Sequence, residues 1–127
     1  MAGNLSNYLE NKVLDHIMGT TTYTKPSAVY VALYTAAPSD TGGGTEVTGG
    51  SYARQTATFS AAASGATSNS ANIDFVVMPA CTVVAIGIFD ALTTGNLLVW
   101  GTLSTNKSLD AGDTLRIATG DLDISLD

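Results

Sequence analysis

Val29-Tyr30-Val31-Ala32-Leu33-Tyr34 is the stretch on which the fold turns. Val29, Val31 and Leu33 alternate with Tyr30, Ala32 and Tyr34, and β-branched, aromatic and aliphatic residues fill both sets. A period of two belongs to a strand, and apolar residues on both faces predict a strand over 28–34 that is largely buried on each side. Similar runs follow. Residues 52–59 alternate less cleanly; Ile73, Phe75 and Val77 alternate with Asp74, Val76 and Met78. Residues 82–89 are β-branched and continuous, as an interior strand requires. Segments 97–103, 114–118 and 122–126 complete the series, and Thr94-Gly95-Asn96, Ala111-Gly112-Asp113 and Thr119-Gly120-Asp121 separate them with turn chemistry. About seven or eight short strands with regular turns predict a mainly β chain, an antiparallel sandwich or jelly-roll-like domain.

Upstream of this stretch the period is helical. Leu5, Tyr8, Leu9, Val13, Leu14, Ile17 and Met18 recur at spacings of three and four, so one amphipathic helix is expected over about 4–18. Asn4 is its candidate N-cap and Gly19 stands where a C-cap glycine belongs. With no helical pattern after Gly19, a parallel α/β sheet has no crossover helices to use. Two segments, 38–51 with its glycine runs and 60–71 with Ala, Ser, Gly, Thr and Asn, are expected to be irregular. At 127 residues the chain fits one domain, 1–127, with the helix leading a sandwich over about 27–127.

Composition narrows the function classes. Charged residues are 13% of the chain, below the roughly 25% of ordinary soluble domains. The net charge is −6, and Lys12, Lys25, Arg54, Lys107 and Arg116 are scattered. Nucleic-acid binders carry a basic stripe that displaces counterions from phosphates, so no direct nucleic-acid partner is expected. No basic-then-apolar leader and no apolar run near the roughly 18 residues of a membrane span are present, so no membrane partner is expected either. The chain is expected to be made in a cytoplasm and to stay soluble until assembled.

Catalytic parts are scarce. His16 is the sole histidine, set beside Asp15 on the predicted helix, and Cys81 is the sole cysteine, in an apolar run where a buried, inert thiol is expected. That scarcity removes a nucleophile–His pair and a zinc site, and no cofactor is expected. Gly42-Gly43-Gly44 is followed by Thr45-Glu46-Val47, an acid where a phosphate loop needs a lysine. Asp110, Asp113, Asp121 and Asp123 match no calcium loop and are good turn residues. The chain is therefore read as non-enzymatic.

Several segments together carry a family resemblance. They are Leu5-Ser6-Asn7-Tyr8-Leu9-Glu10-Asn11-Lys12-Val13-Leu14-Asp15-His16, Val29-Tyr30-Val31-Ala32-Leu33-Tyr34-Thr35, and Thr45-Glu46-Val47-Thr48-Gly49-Gly50-Ser51-Tyr52-Ala53-Arg54. Gly87-Ile88-Phe89-Asp90-Ala91 and Gly95-Asn96-Leu97-Leu98 follow downstream. The combination resembles small virion proteins of tailed phages and prophages that carry the label tail fiber protein. The resemblance implies a structural virion component. A small sandwich with a leading helix further looks like a capsid decoration, or cement, protein: a homotrimer clamping adjacent subunits of the major capsid protein. The alternative is a tail or tail-fibre component engaged in host attachment. The candidate contact residues are Leu9, Val13 and Ile17 on the helix, and Glu46, Tyr52 and Arg54 beside the glycine-rich segment. Arg54 is suited to a bidentate pair with Glu46 of the same or an adjacent subunit, or else it begins a strand.

Overall fold

The computed structural model describes residues 4–126. In chain order its elements are β1 (Asn4–Leu5), α1 (Asn7–Ile17), β2 (Val29–Ala36), β3 (Thr45–Glu46), β4 (Gln55–Ala57) and β5 (Ala66–Ser68). Then come β6 (Ile73–Phe75), β7 (Cys81–Phe89), β8 (Leu97–Leu109), β9 (Leu115–Ile117) and β10 (Asp123–Ser125). The fold is mainly β and antiparallel with one helix, as the alternation around Val31 predicts.

Strand β2 is central in a six-stranded sheet ordered β1-β8-β7-β2-β3, with β4 sharing the β2 edge beside β3. Val31 pairs with Ile88 and Leu33 with Ile86, while Ile88 also faces Val99 on β8. These side chains share one face. There they meet Ile73, Phe75, Leu115 and Ile117 of the β6–β9 pair, and Leu122, in one buried cluster. The β5–β10 pair adds partly buried Ile124 at the edge of this second layer. The result is sandwich-like: a broad sheet on one side and two small ribbons on the other.

The opposite face of the broad sheet carries Ala32, Tyr34, Ala85, Phe89 and Leu97 as a second buried cluster. Gly87 opens room in it. A Cβ there would come within 2.9 Å of the Tyr34 ring and 3.0 Å of Leu97. From Val31 to Tyr34 both sets of alternating residues in β2 are thus buried, against the ribbons on one face and within the second cluster on the other.

Several local expectations are corrected. The helix starts later than Asn4, because Asn4 and Leu5 pair with Trp100 and Val99 as a strand. Ser6 is the N-cap: its Oγ accepts from the Leu9 amide at 3.2 Å and donates to the Leu97 carbonyl. Gly19 follows the C-cap Met18, and its amide reaches the Leu14 and Asp15 carbonyls.

Segment 60–71 is not wholly irregular. It turns at Ser64 and Gly65, both with positive φ, and contributes β5. Segment 38–51 contributes β3. The alternation from Ile73 breaks at Val77, whose φ of 51° reverses the phase, so that Val77 is exposed and Met78 buried. Cys81 is half-buried rather than buried, since it opens β7 opposite Leu109 near the sheet's end. Strand β8 runs beyond the expected 103 as far as Leu109. Its register against β7 jumps between Ala85↔Thr102 and Val83↔Lys107, which leaves residues 103–106 bulged out.

Candidate assembly interface

The two groups of candidate residues occupy different environments. Leu9, Val13 and Ile17 stand at i, i+4 and i+8 on α1, so they run down one side of the helix. Leu9 is half-buried against the core, Val13 is 38% exposed and Ile17 64%. The gradient has a geometric cause. The N-terminus of α1 is tied down by β1, by Ser6 and by the Asn7 amide on the Asp40 carbonyl, whereas its C-terminal half leaves the sheet behind. No residue of α1 is buried. Leu14 and Met18, 58% and 80% exposed, extend the apolar surface around the free end.

Beneath Leu9 and Val13 lies an apolar groove of about 240 Å³, lined by Val99, by Ala66 and Ile124 of the β5–β10 ribbon, and by Leu126 just beyond it. Leu126 is itself 58% exposed, so groove and helix form one apolar tract. Exposed tracts of this kind mark contact sites, where scattered single hydrophobics do not.

Glu46, Tyr52 and Arg54 form a network inside the chain. Arg54 grips Glu46 with Nε at 3.1 Å and Nη2 at 2.8 Å, a fork-to-fork pair with the Arg54 side chain 9% exposed. Its Nη1 donates to the carbonyls of Ala91 and Thr94, and the guanidinium lies 3.7 Å from the Phe89 ring centre. The Tyr52 hydroxyl accepts from the Leu33 amide at 3.0 Å and donates to Glu46 at 2.9 Å. Burial, above all, drives its pKa well above the ordinary tyrosine value. The Tyr52 ring stacks on Phe75 at 6.0 Å.

Between its pairings with β4 and β3, β2 has a short unpaired edge. Tyr52 satisfies the Leu33 amide there and Val47 satisfies the Leu33 carbonyl. Arg54 then ties β3 to the β7–β8 turn. The Glu46–Arg54 pairing is therefore intrachain, and it fastens the glycine-rich segment to the sheet.

Other residues of chemical interest have structural partners. His16 Nδ1 accepts from the Tyr23 amide, Asp113 accepts from the Asp110 amide, and Asp90 accepts twice from Asn96. Among the described residues, no three His, Cys, Asp or Glu side chains come together, and no helix is long and apolar enough to cross a membrane. Sequence reasoning missed Asn69. It is buried, donates to the Ala71 and Ala118 carbonyls and accepts from the Leu122 amide, so it anchors the last turn. Its setting in an Ala- and Ser-rich run gave no sign of this.

Fold and surface describe a small β-rich domain, internally stapled, with an exposed apolar tract along its helix. A family model described as Podophage GP4 fiber I protein gp80 matches residues 4–125. The chain belongs to that family and is a structural protein of the bacteriophage virion. The segments that carry the resemblance, from Leu5 to Leu98, all fall within the matched span. A comparison with curated proteins finds no match.

Proposed function

We propose that the chain is a non-enzymatic building block of the phage tail-fibre apparatus, held in place by copies of itself packed along α1. The family description supports the fibre reading over the capsid-cement reading that small size and a leading helix suggest. The observation that carries the assembly element is the rising exposure along α1, from half-buried Leu9 to Ile17 and Met18, continuous with the groove.

A second copy suits this tract because charges of both signs, Glu10 and Asp15 against Lys12, flank it. Copies can then pair them rather than repel. Each contact need supply only modest affinity, since repetition multiplies it into avidity.

Gold-conjugated antibody against the chain, applied to intact virions in stained micrographs, tests the location. Label on the fibres is the expected result. Label spread over the head shell overturns the reading and restores the clamp on the major capsid protein.

A further inference from the structure

Val77 is a strained residue with no evident service inside the fold. Its φ is 51°, in the left-handed region where a β-branched side chain crowds its own backbone. Glycine or asparagine adopts that conformation at little cost. The Val77 side chain is also 51% exposed, and Val76 beside it 53%, so packing within the chain does little to offset the strain. Strain of this kind persists where a surface acts on something else.

The turn that carries these valines is nevertheless firmly built. The Val77 carbonyl accepts from the Ser51 amide at 3.0 Å, and a Cβ on Gly50 would lie 2.9 Å from that carbonyl oxygen. Met78 is 1% exposed in the core. Its amide donates to the Asp113 carbonyl at 2.8 Å, and its carbonyl accepts from the Gly112 amide at 2.8 Å. Val76 and Val77 thus project as a preformed apolar knob, which has little freedom to lose on making a contact.

Among the described residues, the exposed large hydrophobics outside α1 and its groove are Val76, Val77 and Leu92, and Leu92 stands alone in the β7–β8 turn. The groove is the concave counterpart of the knob. Of the residues lining it only Thr67 carries a polar side chain, so a polar occupant would give up water without replacement. An aliphatic occupant suits that lining. Charge agrees. Lys12, next to Val13, is in no ion pair among the described residues, and the turn that clamps Met78 carries Asp110 and Asp113.

Knob and groove lie at opposite edges of the broad sheet. The groove is beside β1 and α1, where Val99 lines it, while the knob leans on the segment joining β3 to β4. In the order β1-β8-β7-β2-β3 these edges are about 19 Å apart, at ~4.8 Å per strand. A two-fold contact needs knob and groove in one self-complementary patch, and here they are apart. We infer that the Val76–Val77 knob of one copy seats in the groove beneath Val13 of the next, a head-to-tail contact that propagates as a filament or closes as a ring. The inference rests on the self-assembly reading and names what fills its groove.

Sedimentation of the full chain with paired variants is the test. Val76→Ser with Val77→Asn removes the knob, and asparagine suits the left-handed φ, so this variant should melt no lower than the parent. Val13→Glu blocks the groove with a charge. Should it fail to fold, Leu126→Asp at a 58% exposed position replaces it. Each variant alone should sediment as a monomer under conditions where the parent assembles. Their equimolar mixture should form dimers and nothing larger, because one intact knob meets one intact groove and the other two sites are disabled. A mixture that stays monomeric overturns the inference. So does a knob variant that assembles as the parent does while Leu14→Asp with Ile17→Asp does not, an outcome that leaves the assembly reading standing. A parent that is monomeric at every concentration removes both.

Discussion

Arg54 shows how one side chain can fasten three segments. Each of its guanidinium nitrogens donates within the chain, to Glu46 on β3 and to the Ala91 and Thr94 carbonyls of the β7–β8 turn. Arg54→Ala leaves a half-buried carboxylate and two turn carbonyls short of a donor, and the expected loss is about 3 kcal/mol. Arg54→Lys keeps the charge but not the fork, and should recover only part of it. Urea unfolding of both variants checks the order. A contrasting pair is Arg116 with Asp74, which is as well aligned but exposed. The hydrogen bond from Arg116 lowers the Asp74 pKa. The pair therefore supports the fold above the ordinary carboxylate pKa and loses that effect as pH falls through the depressed value. Titration of Asp74 by carbon NMR should show an ordinary midpoint in Arg116→Ala and a lower one in the parent.

Elements were legible in proportion to how much their own residues determine them. β2, β7 and the first half of β8 are long and doubly covered, so alternation or unbroken β-branching betrays them. The two- and three-residue strands β1, β3 and β5 are set by partners distant in sequence, such as β5 against β10, and no local period can reveal them. The helix was legible but its start was not, because Asn4 and Ser6 are both good caps and only the pairing of Leu5 with Val99 decides. Of the candidate site, the helical stripe could be read from spacing alone. The roles of Tyr52 and Arg54 could not, since they serve a gap in the edge of β2 and a turn some 40 residues away. The revised cap makes its own prediction. Ser6→Ala removes an acceptor for the Leu9 amide and a donor to the Leu97 carbonyl, and should cost about 1–2 kcal/mol. Asn4→Ala, outside the cap, should cost less in the same thermal melts.

At the scale of the molecule, an interior whose buried side-chain polar atoms are matched among the described residues coexists with a helix end that leaves Leu14, Ile17 and Met18 in water. That contrast suits the proposed self-assembly, which needs a packed fold and an apolar surface free for contact. Ile17→Asp combined with Leu14→Asp should dissociate the self-assembled protein in sedimentation runs and leave its melting temperature nearly unchanged, since neither side chain is buried. The most direct measurement is a reconstruction of the virion at a resolution that resolves subunits. The chain should be found in the fibre apparatus, with the free end of α1 and the groove beneath Val13 covered by another copy. Density for it on the capsid lattice, or in the fibre with that helix face open to solvent, contradicts the account.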